Sequence, residues 1–178
     1  NQMWPLFLEA LEPTLDLPHH ILNRFRASSV YSHEFDRKYS TEQPLLESIR
    51  TALRELGKSD PVAYEKFVRN SMNFDAMLVQ RLLCRSLVEL DITLVDLSYD
   101  YLTGDPRRLL IGDFDDYHKE SRKLISKLAL KLNIEQLQQL EITINQWTEY
   151  QSIIPDQTAE DKRDRLKWDR ESRLRLLM

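Results

Sequence analysis

The residue types best able to do chemistry gather between Gly104 and His118, in the run GDPRRLLIGDFDDYH. Asp113, Asp115, Asp116 and His118 place three carboxylates and an imidazole within six positions. Hard divalent cations take carboxylate oxygens and imidazole suits transition metals, so this set could serve a metal-dependent hydrolase or nuclease. It is not an EF-hand loop, because the glycine and the closing glutamate of that pattern are missing. A structural reading needs less: acidic side chains ahead of a helix stabilise its positive N-terminal end, with Asp115 or Asp116 as the cap. Arg107 and Arg108 could grip a phosphate or carboxylate through paired guanidiniums. Neither G-x-x-x-x-G-K-[ST] nor G-x-G-x-x-G is present, so no nucleotide cradle and no cofactor is expected. Asp105-Pro106 starts a turn in its own right. Arg107, Arg108, Asp113 and Asp116 are therefore expected to form the polar surface of a central turn, in a contact or structural role.

Other reactive residue types are isolated. His19-His20 has no second pair of ligands one helical turn away, as a helical zinc site requires. The single cysteine, Cys84, cannot close an internal disulfide or build a thiolate zinc site, and its Leu82-Leu83-Cys84 setting suits a small core residue. No G-x-S-x-G elbow occurs. At the C-terminus, Lys162, Arg163, Arg165, Lys167, Arg170, Arg173 and Arg175 alternate with Glu160, Asp161, Asp164, Asp169 and Glu171. Such a helix could touch nucleic acid, but acids four residues from bases more simply support an exposed helix.

These residues must be positioned by helices. Only 3 glycines occur in 178 residues, which suits helices joined by short connections. Two short helices divided by Pro13 and Pro18 are expected over 1–26, then a connection over 27–40. Thr41 and Glu42 open a helix that Gly57 ends. Ser59-Asp60-Pro61 restarts one, with the proline in its first turn and Val62, Tyr64, Phe67, Val68 and Met72 as its buried face. Asn73 caps a helix over 75–90, and another over 91–102 stops at Gly104. Helices bearing Leu124, Ile125 and Leu128, then Ile134, Leu137, Leu140, Ile144 and Trp147, meet at Asn133. Thr158 and Asp161 form a capping pair for the last helix, whose narrow apolar stripe is Leu166, Leu174 and Leu177.

The expected fold is therefore all-α, over residues 1–178 as a single helical module. An irregular, solenoid-like helical-repeat array of about eight helices is the first expectation, a closed helical bundle the alternative. The composition, 42% hydrophobic and 30% charged, is that of a soluble globular protein. A net charge of −4 argues against a dedicated nucleic-acid binder. No run is long and apolar enough to span a bilayer and no signal peptide opens the chain, so no membrane association and a cytoplasmic setting are expected. The ends, Asn1 and an apolar helical run at Met178, suggest a piece of a longer multidomain protein.

From Tyr99 to Leu177 the chain resembles the helical-repeat region of large bacterial NTPases of the signal-transducing STAND type, related in plan to antiphage ATPases. The resemblance is carried by YLTGDPRRLLIGD (Tyr101–Asp113), SRKLISKL (Ser121–Leu128), LQQLEITINQW (Leu137–Trp147) and the charged helix ending in Leu174, Leu176 and Leu177. It implies scaffolding or target sensing beyond an NTPase core, with ATP chemistry elsewhere in the parent. No catalytic residue carries over, since no Walker motif is matched. The leading expectation is a non-catalytic interaction module whose partner is a protein or another domain of the same chain. The alternatives are a metal-dependent hydrolase or nuclease at Asp113, Asp115, Asp116 and His118, and a nucleic-acid-binding helical domain led by the last helix.

Overall fold

The protein is described here from a computed structural model, over residues 3–18, 22–29, 43–90, 94–112, 116–150 and 156–177. Among these residues the fold is all-α, with eight α-helices, two 3-10 turns and only isolated β-bridges. The helices are α1 (Met3–Leu11), α2 (Gln43–Ser59), α3 (Pro61–Ser71), α4 (Met77–Glu89), α5 (Val95–Gly104), α6 (Lys119–Ala129), α7 (Ile134–Gln146) and α8 (Ala159–Leu177). One 3-10 turn, Glu12–Thr14, follows α1, and the other, Pro106–Leu109, lies between α5 and α6.

Helix α4 is the centre. Residues Leu78 to Leu87 are all buried, including Gln80, Arg81, Arg85 and Ser86. It packs on α2 at one side and α6 at the other. Beyond it α6 packs on α8, while α5 contacts α6 and α7. A helix buried on all sides places polar groups where they need partners, and several on α4 find them on its neighbours. The Tyr101 hydroxyl donates to the Gln80 carbonyl at 2.8 Å. Gln80 Nε2 donates to the Met72 and Phe74 carbonyls at 2.9 and 2.8 Å. Arg85 pairs with Glu120 of α6 at 2.8 Å.

Several local expectations hold. Asp60 caps α3 by accepting from Ala63 N at 3.0 Å, with Pro61 in the first turn. Asn133 and Gln136 form a reciprocal capping box on α7, and Thr158 with Asp161 does the same for α8. The caps expected of Thr41 and Glu42 fall outside the described residues.

Others are corrected by long-range contacts. Residues 22–29 are not a second short helix. They run extended and bridge to Tyr150, Ala76 and Leu15, and the Arg26 carbonyl accepts from Met77 N at 2.9 Å. That carbonyl satisfies a first-turn donor of α4, whose cap position is Ala76 rather than Asn73. Gly57 does not end its helix, which continues to Ser59 with no glycine at positive φ. A Cβ at Gly57 would lie 2.2 Å from Leu90 Cδ1, so close packing is what favours glycine there. Val62 does not join the buried face of α3; it is 78% exposed.

Candidate functional site

The central turn folds back on itself. Asp105 caps the 3-10 turn Pro106–Leu109, accepting from Arg107 N at 3.0 Å. The chain then places the Ile111 carbonyl over the start of α6, where it accepts from Glu120 N at 2.9 Å and Ser121 N at 3.1 Å. Two orphan donors of the helix end are thus met by backbone, not by the acidic side chains expected there. Ser121 Oγ closes the loop, accepting from Ile111 N at 2.9 Å and donating to the Arg108 carbonyl at 2.7 Å. Gly112 permits this return, since a Cβ there would lie 2.0 Å from the Asp116 carbonyl oxygen.

The two arginines part company. Arg107 is half-buried between two acids, reaching Asp75 at 2.9 Å and Asp105 at 2.8 Å, with its guanidinium 4.2 Å from the Phe25 ring centroid. Arg108 is not part of the turn's surface; it is only 1% exposed. Its Nη1 donates to the Tyr101 carbonyl at 2.8 Å and its Nη2 to Met72 at 2.6 Å, with the guanidinium over the Tyr101 ring. Burial lowers its pKa, and these two carbonyls with the ring face are its compensation. Sequence spacing places adjacent arginines together but does not say which one enters the core.

Asp116 accepts from His118 N at 3.1 Å and pairs with Arg122. The imidazole of His118 turns inward, 2% exposed, with Nδ1 2.7 Å from the Leu109 carbonyl and its ring edge-on to Trp147 at 5.4 Å. The carbonyl requires the proton on Nδ1, which leaves Nε2 as an acceptor without a hydrogen-bond partner among the described residues. Burial depresses its pKa against the opposing pull of the Leu109 bond and Asp116. Asp113, Asp115 and His19-His20 lie outside the described residues. Among those described, no three His, Cys, Asp or Glu side chains gather into a metal-holding group. Cys84 is fully buried and burial pushes its thiol up, away from the thiolate form.

A second polar centre, absent from the sequence reading, joins the end of α7 to α8. Asp169, 1% exposed, accepts from Thr148 Oγ1 at 2.7 Å and Glu149 N at 3.2 Å. Glu149, also buried, pairs with Arg24 of the extended segment. Trp168 packs at a tilt against Trp147, with ring centroids 5.9 Å apart. These contacts orient α8 so that Asp169, Ser172 and Leu176 face inward. The expected stripe of Leu166, Leu174 and Leu177 instead faces solvent at 52%, 51% and 53% exposure. The only signal for this in the chain is a lone Asp four positions ahead of an Arg, which reads equally well as a surface pair.

An apolar groove of about 480 Å³ also lies between α1, α2 and α3, lined by Met3, Trp4, Leu53, Leu56 and Phe67 among others. Its polar lining is Glu55 and Ser59, and both are engaged locally: Ser59 Oγ donates to the Glu55 carbonyl and Glu55 pairs with Arg54. It lacks the convergent polar groups that orient a small ligand. Comparison with protein-family models, with curated proteins and with solved structures finds no match to this chain.

Proposed function

We propose that this chain is a non-catalytic helical interaction module that engages a protein partner or another part of a larger polypeptide. The observation that carries this reading is the outward face of α8, where three large leucines are left about half exposed on a well-capped helix. Scattered exposed leucines are ordinary, but a row of them along one helix is a surface suited to a partner. The central turn supports the reading from the other side: Arg108, Ser121 and Nδ1 of His118 are each spent on internal carbonyls, as side chains that serve folding would be.

Within this proposal the helices form a repeat-like array. Its support is the succession in which α2, α4, α6 and α8 each pack on the next, with α5 on α7. Membership in the sensing or regulatory region of a STAND-type NTPase rests on the resemblance over Tyr99–Leu177; a P-loop domain in the same polypeptide is the observation that would support it. Side-chain footprinting tests the interaction reading. Leu166, Leu174 and Leu177 label strongly in the purified chain and are expected to be protected several-fold in the full parent protein in its native cell. Exposed Leu130, 84% accessible, serves as the unchanged reference. Equal labelling of the three leucines in both settings overturns the reading.

A further inference from the structure

The charges on α8 are sorted, although the chain carries a net −4. At 3.6 residues per turn, Lys162, Arg163, Leu166, Lys167, Arg170, Arg173, Leu174 and Leu177 share one outward arc of roughly 140° with Ala159. No carboxylate falls inside it: Glu160, Asp164 and Glu171 lie along one flank, Asp169 faces inward, and Asp161 lies away from the arc with Arg165 and Arg175. Arg173, at the edge of the arc, donates to the Asn145 carbonyl at 2.6 Å. Among the described residues, no ion pair joins Lys162, Arg163, Lys167 or Arg170 to a carboxylate. The intrahelical pairs expected from the sequence are therefore not what accounts for these cations.

We propose that this arc is a docking surface for an acidic amphipathic helix, one that sets leucine-type side chains against Leu166, Leu174 and Leu177 and carboxylates against the arginines. It rests on the interaction-module reading and names its surface and partner class. Charge complementarity selects the occupant. Arg170 lies between Leu177 and Leu174 around the helix, and Arg163 sits beside it. Acyl chains could not accept this face without taking guanidiniums toward hydrocarbon, because a membrane-surface helix keeps its cations at the margin of its apolar side. A nucleic acid would pair with the cations and leave the leucines wet. A facing helix satisfies both, since carboxylates meet arginine in bidentate geometry while the leucines lose contact with water.

The test titrates the full chain with a capped helical peptide of leucine–glutamate heptads, alongside versions in which glutamine or lysine replaces glutamate. The glutamate peptide is expected to bind about tenfold or more tightly than the glutamine peptide at low salt, an advantage that shrinks near 1 M salt. Leu174→Asp should weaken binding about tenfold, and Arg170→Glu should transfer the preference to the lysine peptide, an exchange that loss of folding cannot mimic. Both positions are exposed; should either variant lose helicity by circular dichroism, Lys167→Glu makes the same charge test. Equal binding of the glutamate and glutamine peptides overturns the proposal. So does binding to phosphatidylserine vesicles or duplex DNA in place of the peptide, or a glutamate preference that survives Arg170→Glu. If the leucines are protected in the parent protein but the glutamate peptide does not bind, the acidic-helix assignment fails and the module reading stands. If they are not protected, the module reading itself fails.

Discussion

His118 shows how one side chain can carry the look of catalysis and the role of a strut. It holds the Leu109 carbonyl and the edge of Trp147, and the charged groups around it are Asp116 and Arg122 near its own helix and Arg175 from α8. Burial is the largest influence and lowers its pKa from 6.5. The unfolded chain therefore binds a proton below pH 6.5 that the folded chain refuses, so stability is full above that value and falls as the pH drops below it. Chemical denaturation between pH 8 and 5 should show this fall, and it should be shallower in His118→Asn, which keeps a donor for Leu109 but does not titrate. An identical pH profile in the variant would show that other groups set the acid limb.

At the scale of elements, the helices are held by a few buried polar contacts set among apolar ones. Arg85 and Glu120 join α4 to α6, with side chains 10% and 2% exposed. A buried ion pair gains little over an apolar pair of equal volume, whereas removing Arg85 leaves the buried Glu120 carboxylate with only the more distant, exposed Lys123 at 3.8 Å. Arg85→Ala is therefore expected to destabilise the fold by about 3–5 kcal/mol, while Arg85→Met with Glu120→Leu should recover most of that loss. Urea denaturation of the two variants is the measurement, and a double variant no better than the single one would contradict the argument. The orientation of α8 follows the same logic, because Asp169, held by the Thr148 hydroxyl and the Glu149 N–H, decides which face of that helix turns inward.

At the scale of the molecule, the extended segment 22–29 links parts that are distant in sequence. It bridges to Leu15, to Ala76 at the start of α4, and to Tyr150 after α7. Asn23 N donates to the Glu149 carbonyl at 2.5 Å, and Arg26 reaches Glu12 at 2.8 Å. Long arrays of stacked helices can lose cooperativity, since each unit contacts mainly its neighbours. A strap from the N-terminal region to the C-terminal one opposes this. Thermal unfolding is expected to be a single transition, with helix content by far-ultraviolet circular dichroism and tryptophan fluorescence falling together. Two separated transitions would show that the strap does not couple the two ends.

Much of this architecture was legible one segment at a time. Helical periodicity, the Asp60-Pro61 start, the Asn133 and Thr158 caps and the Asp105-Pro106 turn are written in neighbouring residues, because their partners lie within a few positions. What neighbouring residues cannot express is what a side chain meets across the fold. Gly57 has the look of a helix end until Leu90 is seen against it, and Asn73 the look of a cap until the Arg26 carbonyl supplies one. Arg107 and Arg108 are alike in sequence, and only the carbonyls of Tyr101 and Met72 draw one of them inside. The outer leucines of α8 and the inward Asp169 follow the same logic. The sequence by itself determined that the chain is helical and where most helices begin, for those are local balances of backbone and side chain. The tertiary structure decided which polar residues became struts and which apolar ones were left facing out, because burial belongs to the packed assembly and to no single stretch of it.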